Sequence, residues 1–266
     1  MKLSQFFQKI FQFLKSLFSK NNTNQTEELQ EKPDDAPVDI DNTTSEDDSV
    51  DKPDNKLDDM KNLTIVNKYL PEQCFTKVNT KKTRICLHHT VSSPLSIDGD
   101  VATFASQRNI ATHYIIGGDG TVYQLIPENY WAHHLGTKFA NNMQLNQETI
   151  GIEIDAWGQL TKSGDRYLTA YGSVMDTGFP VETLETPFRG SLYYQEYYDA
   201  QMDALFLLLK KLSVEHQIPL EVLNKTLNFE LLNNFDKPGI YSHTNFRADK
   251  SDVYPAKKLI AMLKKL

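Results

Sequence analysis

The spacing of hydrophobic positions divides the chain into a first helix, a polar stretch and a folded region. Residues 1–20 carry apolar side chains three and four positions apart, which predicts an amphipathic helix. Residues 21–61 show no such pattern and contain no aromatic residue, so they predict a disordered linker. Strand and helix patterns then follow one another over residues 62–266, which predict a single folded domain.

Several short segments of the folded region predict strands. Residues 83–89 are typical of a buried strand. Residues 112–126 predict a hairpin, because a Gly-Gly-Asp-Gly turn separates two apolar runs. Residues 149–155 alternate strictly, with three isoleucines on one face and two acidic residues on the other. Residues 240–244 predict one more short strand.

Helical patterns lie between and after these strands. They cover residues 101–109, 193–218, 219–233 and 255–266. Helices mixed with strands, together with one hairpin, predict an α/β fold in which a central mixed β-sheet is flanked by helices.

Charge is spread unevenly along the chain. The formal net charge is −7, but residues 21–61 alone hold fourteen acidic residues against four lysines. The acidic excess therefore belongs to the linker, which we interpret as a tether, with an acidic binding tail as the alternative. No basic stripe indicates a nucleic-acid partner.

The helix of residues 1–20 carries four lysines and no acidic residue. Polar residues interrupt each apolar run, so the segment does not predict a transmembrane span. It also lacks the continuous apolar region and cleavage site of a secretory signal. A basic, Phe-rich helix of this kind is suited to contact with a membrane surface, and packing on its own domain or on a sister chain is the alternative.

Candidate chemistry lies in histidines near strand ends. His88 or His89 ends a strand, His243 follows another, and Asp252 lies in the loop downstream. Catalytic zinc usually takes three protein ligands, so a His/carboxylate zinc hydrolase is one interpretation, although no HExxH or CxxC motif supports it.

Two further residues could serve such a site, and the cysteines do not. Glu153 is an acid in an apolar strand, where burial would raise its pKa toward use as a base. Lys250 could stabilise negative charge that develops on a substrate oxygen. Cys74 and Cys86 are too few for a disulfide framework or a Cys-based zinc site, and two ordinary thiols are favoured over one bridge.

Five motifs in order, ICLHHT, ATHYIIGGDGTVYQL, WAHHLG, ETIGIEID and YSHTNFRADKSD, cover about residues 63–266. This series resembles the zinc-dependent N-acetylmuramoyl-L-alanine amidases, relatives of the peptidoglycan recognition proteins, and most of all the phage-type endolysins. The resemblance implies that the domain cleaves the amide bond between N-acetylmuramic acid and L-alanine in peptidoglycan. A cytoplasmic amidase that recycles muropeptides, a non-catalytic peptidoglycan-binding module and a tethering protein are the alternatives.

The resemblance also assigns roles to residues. His88, His243 and Asp252 match the zinc ligands, Glu153 matches the catalytic base, and Lys250 matches the lysine that stabilises the oxyanion. His134 matches a residue that lines the substrate groove, with Trp131 expected to pack beneath it. His113 is expected to be a site-wall or a structural residue, while His89 and His133 are expected to be structural.

This chain departs from the family pattern in two places. The family's proline after the aspartate is absent, since Val253 follows Asp252. Residues 164–190 resemble an extra loop, which either shapes the groove or has no such role. No secretory signal is evident, so the place where the enzyme acts on the cell wall stays open between release from a host cytoplasm and attachment to a membrane.

Overall fold

The computed structural model of the protein describes residues 63–222 and 224–266. The helix predicted for residues 1–20 and the linker predicted for residues 21–61 lie outside these residues, so both remain predictions. Within the described part of the chain, no helix is both long enough and apolar enough to cross a membrane.

Six strands form a central mixed sheet. Its spatial order is β1-β4-β3-β5-β2-β10, and only the β3–β4 pair is antiparallel. The strands are β1 (Ile65–Asn67), β2 (Arg84–His89), β3 (Tyr114–Ile116), β4 (Val122–Gln124), β5 (Thr149–Ile154) and β10 (Gly239–Ser242). The predicted strands and hairpin therefore all belong to one sheet, and the predicted fold class is confirmed.

Helices cover one face of this sheet. Alternate residues of β2 and β5, such as Leu87 and Ile152, pack against the long helix α3 (Asp199–His216) and the last helix α6 (Lys257–Leu263). These side chains are fully buried, so the apolar alternation seen in the sequence marks the main core.

The opposite face carries two smaller apolar clusters. One lies beneath α1 (Ile97–Ala105), and the other lies beside α2 (Asn142–Glu148) and the one-turn helix α5 (His243–Phe246). Polar residues of β2 and β5 also point to this face, and the candidate site lies there. His243 begins α5, whereas the sequence predicted that the strand would continue through residue 244.

Between β5 and α3 in the sequence, four antiparallel strands form a second sheet. Its order is β7-β6-β9-β8, and its strands are β6 (Gln159–Ser163), β7 (Arg166–Leu168), β8 (Val181–Phe188) and β9 (Ser191–Gln195). The segment predicted as a loop, residues 164–190, therefore contains two strands of this sheet, β7 and β8, with turns before, between and after them. The helical spacing of Tyr193, Tyr194, Tyr197 and Tyr198 predicted that the long helix begins at residue 193. The first two of them instead lie in β9, which pairs with both β6 and β8, and these backbone hydrogen bonds outweigh the helical spacing.

The helix predictions were correct in existence but not always in extent. The helix predicted to begin at residue 193 begins at Asp199, where the Gln201 side chain accepts a hydrogen bond from the Tyr198 backbone N–H (3.0 Å). The helix predicted for residues 219–233 is only the four-residue α4 (Asn224–Leu227). The tyrosines at 194 and 197 are fully buried, as expected for packing residues.

Candidate metal and catalytic centre

Three parallel strands bring the candidate residues to one level of the sheet. His88 on β2 is directly opposite Glu153 on β5. Ser242, the last residue of β10, is opposite Leu87, so His243 begins its helix beside His88. Because the carboxyl ends of parallel strands meet at one edge, residues far apart in sequence become neighbours there.

Three potential ligand atoms converge at this edge. His88 Nδ1 lies 3.0 Å from His243 Nδ1 and 3.1 Å from Asp252 Oδ2, and His243 Nδ1 lies 2.7 Å from the same oxygen. All three side chains are buried. The structure therefore brings together the three residues that the sequence resemblance assigned as zinc ligands.

Backbone carbonyls fix the protons on the histidines around this group, since a carbonyl can only accept a hydrogen bond. His243 donates its Nε2–H to the Leu135 carbonyl oxygen (2.9 Å). His134 donates its Nε2–H to the Thr149 carbonyl oxygen (3.3 Å). Its Nδ1 is then an acceptor, and His88 donates its Nε2–H to that atom (3.0 Å). In the neutral rings, both Nδ1 atoms of the ligand group are unprotonated and face the same carboxylate.

This donor set fits a zinc ion. Two imidazole nitrogens and one carboxylate oxygen lie about 3 Å apart, close enough to bind one cation together. Burial, with the nearby His243, lowers the pKa of His88 to about 4, so this ring is neutral at pH 7. Imidazole and carboxylate are common zinc ligands, and three protein ligands leave a position for water. The chain thus contains a group able to hold a metal ion.

Charges around the group favour an ionised Asp252. Its burial opposes ionisation, but His243 and the positive charge of Lys250 outweigh that effect and hold its pKa well below the usual range. Lys250 is partly exposed at the edge of the site. Its charge therefore acts on the carboxylate and remains accessible to a substrate.

Glu153 has the opposite electrostatic setting. Burial and the negative charge of Asp252 raise its pKa well above the ordinary value, and Lys250 only partly opposes them. Its Oε2 atom is buried and has no hydrogen-bond partner in the described part of the chain. A carboxyl group in this setting holds a proton more readily than an exposed one.

His113 is not available to a substrate. Its side chain is fully buried, its Nε2–H donates to the Tyr130 carbonyl oxygen (3.0 Å), and its Nδ1 accepts the backbone N–H of Gly151 (3.0 Å). These contacts favour the structural role that was one of the two alternatives for His113. Its ring nitrogens join β5 to the loop that contains Tyr130.

Trp131 and His134 also differ from the sequence expectation in what they contact. Trp131 is 6% exposed and packs edge-on against His133, with ring centroids 5.2 Å apart, rather than beneath His134. His134 is partly exposed and contacts His88 directly. His134 is thus a hydrogen-bond partner of the candidate metal ligand His88. Contact of His134 with a substrate stays a prediction.

Two neighbouring groups of potential ligands are less suited to a metal. Cys86 lies within reach of His88 and His134, but burial and the nearby acidic residues raise the pKa of its thiol well above the ordinary value. Glu128 belongs to a second group, where the Lys211 ammonium already lies 3.2 Å from its carboxylate. Both cysteines are free, so the prediction of two thiols is confirmed.

Sequence reasoning missed the groups that orient the ligands. The carbonyl oxygens of Leu135 and Thr149 fix the two imidazoles, yet every residue carries such an oxygen, so no side-chain pattern could indicate them. The only available signal was the His-His pair in WAHHLG, whose second member contacts the ligand His88.

Comparisons with known proteins identify a related family and several similar structures. A family model described as N-acetylmuramoyl-L-alanine amidase matches residues 79–255, more than half of the chain. A search of curated proteins finds no match.

Several solved structures are similar to this chain. A mutant endolysin from Bacillus subtilis is 16% identical with a TM-score of 0.43, and the match covers 72% of this chain and 90% of that one. The amidase LysC from Clostridium intestinale URNW is 18% identical with a TM-score of 0.42, covering 76% and 95%. AmiD from E. coli, in complex with an anhydro-N-acetylmuramic acid peptide substrate, is 18% identical with a TM-score of 0.43, covering 71% and 60%.

Proposed function

The chain belongs to the N-acetylmuramoyl-L-alanine amidase family, and from this premise we propose that it cleaves peptidoglycan in a zinc-dependent reaction at the site described above. The bond hydrolysed is the amide between N-acetylmuramic acid and L-alanine. The observation that carries the zinc assignment is the convergence of two imidazole nitrogens and one carboxylate oxygen.

We assign His88, His243 and Asp252 as the residues that would hold the zinc ion. Zinc bound there would lower the pKa of a water molecule and polarise the substrate carbonyl. The chain itself holds the ligands in place: the Leu135 carbonyl orients one imidazole, and His134 orients the other. Such partners usually determine both the orientation and the basicity of a ligand.

Glu153 is the group that moves the proton. Its carboxylate accepts a proton from the attacking water, and the carboxylic acid so formed gives that proton to the amine of L-alanine as the amide bond breaks. Its raised pKa suits both steps, because a strongly acidic carboxyl would be a poor base. Burial beside the ligand group also keeps bulk water from competing for this proton.

Lys250 contributes a positive charge at the same edge of the sheet. Negative charge develops on the carbonyl oxygen when water attacks, and a cation beside that oxygen stabilises the transition state more than the ground state. The effect of Lys250 on the pKa of both Asp252 and Glu153 supports its closeness to the reacting groups.

A combined metal and turnover experiment tests this assignment. Purified protein is expected to contain one zinc ion per chain, to lose release of stem peptide from purified cell wall after treatment with a chelator, and to regain it with zinc. Glu153→Gln is expected to keep the metal and lose at least about 100-fold in turnover, the lower limit typical of acid–base groups. Full turnover by metal-free protein would overturn the zinc assignment. Wild-type turnover by Glu153→Gln would remove Glu153 as the base.

The same preparation separates the two possible substrate classes. An enzyme that acts on the cell wall releases peptide from intact sacculi, whereas a recycling amidase acts mainly on small soluble muropeptides. Contact of residues 1–20 with a membrane stays a prediction, and anionic vesicles mixed with the full chain would test it by co-sedimentation against a chain that lacks those residues.

A further inference from the structure

The segment after Asp252 is fixed by the second sheet. Tyr254 is fully buried, and its ring stacks on Tyr194 of β9 with centroids 4.4 Å apart and planes 15° apart. Its hydroxyl lies 3.1 Å from Glu182 Oε2 on β8 and 3.0 Å from the Gln195 carbonyl oxygen on β9. A residue two positions after a metal ligand is thus held by strands that come from a different part of the chain.

Glu182 holds this segment at two points. One carboxylate oxygen accepts the Tyr254 hydroxyl, and the other accepts the backbone N–H of Lys257, the first residue of α6 (3.1 Å). The register of the second sheet places Glu182 directly opposite Tyr194, so acceptor and stacking ring come from one strand pair. The side chain of Glu182 is 9% exposed, and both of its bonds are therefore shielded from water.

Asp252 is the ligand that most needs such support. His88 lies on a central strand and His243 at the start of a helix, so regular backbone hydrogen bonds fix both. Asp252 lies in an irregular segment, where no helix or strand fixes the backbone. A ligand has to be held within about 0.5 Å of its working position, and loops do this less well than helices and strands.

We propose that Tyr254 and Glu182 are positioning residues for the Asp252 ligand, and that the second sheet supports the metal site through them. This proposal rests on the zinc site assigned above. It gives β8 and β9 a role in metal binding through their contacts with Tyr254, and these contacts do not require that either strand touch the substrate.

Paired tyrosine variants test the proposal. Tyr254→Phe keeps the stacked ring and removes only the hydroxyl. Tyr194→Phe removes a buried hydroxyl from the same stack, but that hydroxyl bonds the Phe188 carbonyl oxygen within the second sheet (2.5 Å) and not the segment after the ligand. Zinc dissociation constants are measured for the metal-free full chains by competition with a chromogenic chelator. Melting of the same metal-free proteins reports the fold.

Tyr254→Phe is expected to weaken zinc binding about tenfold, at the lower end of the range for residues that support metal ligands. Tyr194→Phe is expected to lower the melting temperature by a similar amount while its zinc affinity stays within about twofold of wild type. Cobalt-substituted Tyr254→Phe should also show shifted visible absorption bands, because those bands report ligand geometry, whereas Tyr194→Phe should not.

Glu182→Gln provides a second variant should Tyr254→Phe fail to fold. It keeps one acceptor oxygen in place of two, so we expect weaker zinc binding than wild type. Equal zinc affinity in wild type, Tyr254→Phe and Glu182→Gln would overturn the positioning role and leave the zinc assignment intact. A wild-type chain that binds no zinc at all, with the same result for His243→Ala, would overturn both.

Discussion

A buried neutral histidine makes the stability of this fold sensitive to acid. His113 uses both ring nitrogens in its neutral form, one as donor to the Tyr130 carbonyl and one as acceptor from the Gly151 N–H. A second proton would turn an N–H toward another N–H. Burial, helped by the charge of Lys82, lowers the pKa of His113 to about 3.

The size of the effect follows from the two states. In the unfolded chain the imidazole of His113 has a pKa of about 6.5. Between that pH and about pH 3 the unfolded state therefore binds a proton at His113, whereas the folded state does not. This stabilising contribution is complete above about pH 6.5 and is lost as the pH falls toward 3. The loss is about 1.4 kcal/mol per pH unit, which gives about 2 kcal/mol at pH 5.

Urea unfolding of chelator-treated protein between pH 7.5 and pH 5 measures the contribution of His113 to the free energy of unfolding. His113→Asn keeps an acceptor for the Gly151 N–H but cannot titrate. At pH 7.5 the variant is expected to be less stable than wild type by about 1–3 kcal/mol, because the Tyr130 carbonyl loses its partner. Acid destabilises wild type more, so the difference in unfolding free energy should shrink by about 2 kcal/mol by pH 5.

A matched histidine provides the control. His133 is partly exposed, and burial lowers its pKa in the same direction, but water reaches its ring. The difference between wild type and His133→Asn should therefore change less over the same range. If the wild-type and His113→Asn stabilities fell in parallel from pH 7.5 to pH 5, the neutral, doubly bonded state of His113 would be refuted.

Three further predictions concern the surroundings of the site. His134→Phe removes the acceptor for the ligand His88 and should weaken zinc binding 10- to 100-fold, the typical effect of losing such a partner, and an unchanged dissociation constant would contradict this role. Gly158→Ala should destabilise by at least about 2 kcal/mol in urea unfolding, since φ is +65° and the new Cβ would lie 2.3 Å from His89 Nε2. Gly164→Ala, with φ of +59° and open space around it, should cost only about 1 kcal/mol, so equal losses would refute the clash. The two buried cysteines should react with a thiol reagent only after unfolding, and rapid labelling of the native chain would show that they are accessible.

The sequence predicted the central sheet well because its signals are local. Strict alternation over residues 149–155 marks a strand with one apolar face, and the Gly-rich turn marks the β3–β4 hairpin. The second sheet could not be found in the same way. The spacing of the tyrosines predicted a helix from residue 193, and the pairing of β9 with β6 and β8 overrides that local pattern.

Some residues of the candidate site could also be predicted from the sequence, whereas the roles of others depend on tertiary contacts. The family resemblance indicated His88, His243 and Asp252, whereas side-chain types alone left the choice between His88 and His89 open, and the structure places the three together. His113 looked similar by residue type, yet its role depends on burial and on two backbone partners that no sequence pattern displays. The backbone conformation after Asp252 could not be predicted from the sequence either, because the groups that bond Tyr254 come from strands some 60 to 70 residues earlier.

The wide separation of the ligands has a consequence for the chain during its synthesis. His88 and Asp252 lie 164 residues apart, so the ribosome adds the last ligand roughly 10 to 30 s after the first at ordinary rates. A nascent chain that includes residue 243 but ends before residue 252 contains the proposed base and two of the three proposed zinc ligands. On this assignment, hydrolysis of peptidoglycan becomes available only when nearly all of residues 79–255 has been made.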